Sequence, residues 1–252
     1  MITRLPNNIL HKTATTILLS SSDNSKSWFI GIRQLCDQYS LPSPLLLLKN
    51  PPTKHSFNKL VKSRILDYWE KHLRSVAASK SSLEYFKPSF MSLTSPHQMF
   101  ITCSSNSFET NKSTCQASLI SGRYKTDYLA RHWVKENPSG YCVLCPGLDT
   151  PDTLDHFVLF CEALTPARTN VLNHWQLYSC KDDQLRNLLL NKLHSSTKTL
   201  MQFLIDPSVD SDVIRGVQNN LIKLEEVYRL TRTWCYAVHR KKLQMTGRFR
   251  KL

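Results

Sequence analysis

Glycine is nearly absent from this chain, with six among 252 residues. Hairpin turns with φ > 0 draw on glycine, so this supply argues against an all-β chain of short strands. Long apolar runs are also missing. The longest lies near Leu45 and is far shorter than the roughly 20 residues that cross a bilayer, so no membrane partner is expected. The start offers no secretory leader, because "NNILHKTATTILL" is broken by His11 and Lys12 and has no clear cleavage site. Acidic side chains number 19 against 33 basic ones.

Eight cysteines are present. A secreted disulfide scaffold is short and Cys-dense, whereas these eight are spread over a long chain. The expected compartment is therefore reducing and intracellular, nuclear or cytoplasmic. Clustered Cys then read as metal ligands, and Cys36, Cys103, Cys115, Cys180 and Cys235 show no such spacing.

The net charge is +14. Lys and Arg in excess attract polyanions, so RNA and/or DNA is the expected partner. The charge is not uniform. Residues 1–100 carry net +8, residues 101–140 net +2, residues 141–200 net −1 and residues 201–252 net +5. Positive charge flanks the one stretch that holds the clustered cysteines.

Apolar spacing predicts a mostly α fold: a helical domain with a small cysteine-bearing element and a long C-terminal helix. Trp28, Ile32, Leu35 and Tyr39 share one helix face, with Ser25 as a cap. Phe57, Leu60, Val61, Ile65, Tyr68, Trp69, Leu73 and Val76 form a stripe on a second, longer helix. Its far side holds Lys59, Lys62, Arg64, Lys71 and Arg74. Residues 80–111 are Ser-rich and read as loop with short elements. Helices follow near 113–121, 126–135, 167–178, 182–195 and 197–205. The last helix runs from about 211 to 243 on a seam of Val217, Leu221, Leu224, Tyr228, Thr231, Cys235 and Val238. Three regions result: 1–111, 112–165 and 166–252, the last ending in the basic "HRKKLQMTGRFRKL".

The stretch "YCVLCPGLDTPDTLDHFVLFCEA" holds Cys142, Cys145, His156 and Cys161. Zinc takes four thiolate and imidazole ligands, and a Cys-x2-Cys turn lets two sulfurs grip one ion. Gly147 can turn the backbone back toward the sulfurs. Thr153 caps a short helix that carries His156. Five residues of ideal helix turn about 500°, which leaves His156 and Cys161 roughly 140° apart. They share an ion only if that helix is short, distorted or ended before Cys161. A catalytic zinc keeps a position open, and here four protein ligands close the shell, so the Zn²⁺ is structural. The competing reading is four buried, unliganded side chains.

"LISGRYKTDYLARHWVKENPSGYCVLCPGLDTPDTLDHFVLFCEAL" resembles the region downstream of the polymerase core in non-LTR, LINE-type retrotransposon reverse transcriptases. The pattern is carried by Gly122, Arg123 and Tyr124, by Leu129 with His132, by Cys142 and Cys145, by Thr153, Leu154 and His156, and by Cys161. It covers about 45 residues, with a looser likeness to the thumb and linker before them. The resemblance implies binding of template RNA or target DNA. The Tyr-x-Asp-Asp-like turn that holds two Mg²⁺ is missing, and the sole Asp-Asp pair, Asp182-Asp183, opens a helical stretch. The chain therefore looks like a C-terminal fragment without catalytic residues or a small-molecule substrate. Phosphate contacts are expected from Arg123, Lys125, Arg131 and Lys135 on one side of the knuckle. On the other they are expected from Arg240, Lys241, Lys242, Arg248, Arg250 and Lys251, with Tyr124, Trp133 and Phe249 available to stack on bases. The alternative is a cellular zinc-knuckle module that binds a protein through its long helix.

Overall fold

A computed structural model describes residues 12–13, 15–17, 28–90, 92–103, 106–126, 140–145, 149–179 and 182–247. Among them the chain is mostly α-helical and has no β-strand, only an isolated bridge between Tyr141 and Pro151. It divides into two units, Met1–Ser75 and Val76–Leu252. The division falls at 75/76. The knuckle and the C-terminal helices lie in one unit.

In the first unit, α1 spans Trp28–Gln38 and α2 spans Pro44–Lys49. The buried side chains of α1 are Ile30 and Cys36, whereas Trp28 and Leu35 of the expected face are exposed. Pro44 sits in the first turn of α2 and Ser43 caps it, accepting from the Leu46 N–H at 3.3 Å. Helix α3, Lys54–Ala78, covers the predicted amphipathic segment and crosses the boundary between the units. Ser25 lies outside the described residues.

In the second unit, α4 (Gln98–Ile101) and α5 (Ser107–Ile120) follow two short 3₁₀ turns, Ser81–Leu83 and Pro88–Phe90. Helix α5 starts six residues before the expected 113. Asn106 caps it, its Oδ1 accepting from the Phe108 N–H at 2.8 Å, and Glu109 stands in the first turn. Asn-x-x-Glu is the capping signature that the serine-rich composition masks. The expected helix at 126–135 lies outside the described residues, apart from Thr126.

After the knuckle come α6 (Thr165–Ser179), α7 (Asp183–Leu193), α8 (Thr197–Ile205), α9 (Ser211–Gln218) and α10 (Leu224–Met245). Helix α10 is the axis of the unit and packs against α5, α6 and α8. Val227, Tyr228, Leu230, Thr231, Trp234, Cys235 and Val238 are its buried face.

The expected single helix over 211–243 is instead two. Asn220 takes φ 54°, the left-handed region that asparagine tolerates. The Leu221 N–H donates to Gly216 O at 2.9 Å and the Asn220 N–H to Val217 O at 3.1 Å, a Schellman stop. Leu221, expected in the seam, is therefore exposed. Tyr228, Thr231, Cys235 and Val238 keep their place in it.

Candidate metal centre

Phe157, Val158 and Leu164 of this segment are buried in the core of the unit, and backbone bonds shape the loop that carries the cysteines. The Cys142 N–H donates to Thr150 O at 2.8 Å and the Asp152 N–H to Gly140 O at 3.0 Å, closing a small loop. Gly140 enters that loop at φ 78°. The Cys145 N–H donates to Cys142 O at 3.2 Å, so the two sulfurs leave one turn together. Gly147 lies outside the described residues. Thr153 caps the next element as expected, its Oγ1 accepting from the His156 N–H at 3.2 Å.

That element resolves the problem of spacing. His156–Phe160 is a π-helical turn, and the Cys161 N–H donates to His156 O at 2.6 Å. In an i→i+5 turn five residues make close to one revolution, so ligands that an α-helix would splay come to one face. The chain then leaves helical geometry at Cys161, with φ −59° and ψ 112°.

The outcome is a buried cluster of Cys142, Cys145, His156 and Cys161, whose ligand atoms all lie within 4.8 Å of one another. Cys145 Sγ is 3.6 Å from both His156 Nε2 and Cys161 Sγ, and Cys142 Sγ is 3.8 Å from Cys161 Sγ. A disulfide holds its sulfurs at about 2.05 Å, so these are separate thiols. The four residues can hold a metal ion. Burial pushes the Cys161 thiol up to about 12, helped by its sulfur neighbours, and raises Cys142 as well. Burial also lowers His156, which keeps its imidazole neutral. A pocket that resists negative charge in this way supports thiolates when a cation sits among them.

Four polar ties fasten the knuckle to the surrounding unit. Arg168 of α6 donates to Cys161 O at 2.6 Å, Trp234 of α10 to Val158 O at 3.3 Å, and Tyr85 to Asp155. Lys242 of α10 donates to both oxygens of buried Asp152, at 2.7 and 3.0 Å. Burial depresses the Arg168 guanidinium, and the Cys161 and Cys145 sulfurs act in the opposite direction. Its Nη1 is buried with no hydrogen-bond partner among the described residues.

The expected phosphate ligands fall into three groups. Arg123, Lys125 and Arg240 are exposed and Lys241 is half-buried. Lys242 is a correction. It is buried, paired with Asp152, and stands 4.9 Å from the centre of the Phe157 ring, so it holds the knuckle from inside. The segment read as a basic tail is helix as far as Met245, which is why a lysine within it can face the core. Arg131, Lys135, Arg248, Arg250 and Lys251 lie outside the described residues, as do Trp133, Phe249, Leu129 and His132. Tyr124 stacks on Phe157 with ring centres 4.6 Å apart, and its hydroxyl meets His239 Nδ1 at 3.0 Å. That stack occupies the ring expected to receive a base. Sequence reasoning missed Arg168 and Asp152, whose charge alone suggests surface residues.

No protein-family model, curated protein or solved structure matches this chain. Among the described residues no helix is long and apolar enough to cross a membrane.

Proposed function

We propose that this chain is a zinc-stabilised, non-catalytic nucleic-acid-binding module, the C-terminal part of a non-LTR retrotransposon reverse transcriptase. The observation that carries the reading is the closed shell of three cysteines and one histidine. A tetrahedron with Zn–S near 2.3 Å and Zn–N near 2.0–2.1 Å has S···S edges of about 3.75 Å and S···N edges of about 3.55 Å. Three of the six ligand separations, at 3.6–3.8 Å, match those edges, and all six lie within 4.8 Å. Three thiolates, a neutral imidazole and Zn²⁺ sum to −1, and Arg168 is a buried cation beside them with no carboxylate partner among the described residues. Four protein ligands leave no position for an activated water, so the zinc braces the fold.

The nucleic-acid part of the reading rests on charge. The chain carries net +14, with exposed Arg123, Lys125 and Arg240 around a knuckle of opposite sign. The test has two readouts. Elemental analysis of protein purified without chelator gives one zinc per chain, and a folded metal-free protein overturns the zinc assignment. Affinity for single-stranded RNA falls steeply with salt, with a log–log slope of about −0.7 per phosphate neutralised. Removing residues 248–252, which leaves Lys242 in its pair, flattens that slope. A salt-independent affinity, or an unchanged slope in the truncated chain, favours the protein-binding alternative.

A further inference from the structure

Within the second unit, the segment around Phe86–Met99 lies alongside α5, and the two enclose a groove of about 900 Å³. That volume is within the range of about 300–1,000 Å³ typical of small-ligand sites. Met99 and Ile120 supply buried apolar lining. Phe90 and Phe100 line it while 52% and 57% exposed. Two such rings on one groove leave apolar area in water unless something flat covers them.

Two hydroxyls of the polar lining are committed as donors. Thr114 and Ser118 donate their hydroxyls to the carbonyls of Thr110 and Thr114, so their oxygens are left to accept. Among the described residues no carboxylate lines the groove. Arg123, exposed, is its one permanently charged lining side chain. The backbone at Arg123 is set by the end of α5. Gly122 takes φ 64°, and the Arg123 N–H donates to Ser118 O at 2.9 Å, a Schellman cap that places the Arg123 main chain beside the groove. Asp206 lies behind the lining. It is buried and satisfied by His97 at 3.1 Å, Ser208 at 2.7 Å and Tyr228 at 2.9 Å, so it puts no open acceptor into the groove.

We infer that this groove receives an unpaired nucleotide of a single strand, its base stacked on Phe90 or Phe100 and its phosphate on Arg123. The inference rests on the reading of the chain as a nucleic-acid binder and gives that reading a location. Aromatic faces beside a cation are the elements by which single strands are held without regard to sequence. The acceptor oxygens of Thr114 and Ser118 suit exocyclic amino groups or a 2′-hydroxyl. An apolar peptide side chain would use the rings and leave Arg123 idle.

The test uses the full chain and three fluorescein-labelled 12-mers: oligo(rU), oligo(dT) and an abasic strand of the same charge. The double variant Phe90→Ala/Phe100→Ala removes two exposed rings, and zinc content and the thermal midpoint check that it folds. It should bind oligo(rU) and oligo(dT) roughly tenfold or more weakly, with the affinity for the abasic strand and the salt slope both unchanged. Arg123→Gln should instead make the slope shallower by about 0.7. If the wild-type chain binds the 12-mers and the double variant binds them equally well, the groove is wrong and the wider reading stands. Equal weakening on the abasic strand also overturns it, because the rings would then not be stacking on bases. If the wild-type chain binds none of the three at low salt, both readings fall together.

Discussion

Helices α3 and α10 make an instructive pair. Each is long, 25 and 22 residues, and each shows an apolar stripe in the sequence. Helix α10 buries nine side chains. Helix α3 buries none, and Trp69, Leu73 and Val76 of its stripe stay 38–40% exposed. Periodicity therefore marks both as helices without saying which is core. The difference lies in their neighbours. Helix α10 is contacted by α5, α6, α8 and the π turn, and it buries Arg232 and Lys242 as readily as Val238 because each finds a partner. Arg232 donates to Thr102 O at 3.0 Å and to Thr102 Oγ1 at 2.6 Å. Burial follows what surrounds a face more than the polarity of each residue on it.

The contrast can be broken most severely through the candidate metal cluster. If the cluster holds a metal, chelation, or Cys145→Ser, should loosen the segment that the four ligands gather. Hydrogen exchange should then accelerate across 140–165 and in the second half of α10, while peptides from 54–75 exchange as before. Uniform acceleration in both helices would remove the distinction. The next largest effect is expected from cavity formation. Trp234→Ala should cost about 3–5 kcal/mol in urea unfolding. Trp69→Ala, at a 40% exposed position, should cost less than about 1 kcal/mol. Equal losses would mean that α3 is covered in solution.

A comparison of ion pairs sharpens the point. Lys242→Ala removes the cation paired with buried Asp152, 1% exposed, and about 3 kcal/mol should be lost. Arg74→Ala breaks the Glu70 pair, whose side chains are 27–40% exposed, and less than about 0.5 kcal/mol should change. Double-mutant cycles with Asp152→Asn and Glu70→Gln measure both couplings, and a coupling near zero for Lys242 would refute the clamp. The smallest effect belongs to the break before α10. Asn220→Val should cost about 1–2 kcal/mol, since a β-branched residue resists φ 54°, whereas Asn220→Gly should be within a few tenths. A tolerated valine would show that α9 and α10 can run on as one helix.

Much of this was legible beforehand. The α-rich class follows from spacing and scarce glycine. The four ligands follow from their residue types, and the cap from Thr153. Asp182 was also readable as a helix start, and its carboxylate accepts from Gln184 and Leu185 N–H at 3.0 Å. What stayed hidden involves partners distant in sequence. Lys242 meets Asp152 across 90 residues, so composition reads it as one more surface cation. Tyr124 meets His239 across 115 residues and reads as a free ring. The stop at Asn220 was local and readable, since two adjacent asparagines in an apolar seam offer a left-handed cap.

The π turn has a consequence for how such a knuckle tolerates insertion and deletion. Phe160, 55% exposed, is the residue that the wide turn accommodates just before Cys161. Without it the histidine and the last cysteine would be four apart, about 400° along an α-helix, and would still face one ion. The additional residue is therefore unnecessary for grip. The wide turn leaves Phe160 at the surface, while Cys161, Leu164 and Arg168 beyond it are buried. A chain lacking Phe160 should therefore still gather its four candidate ligands around one point, so the spacing between the last two can vary without loss of the cluster.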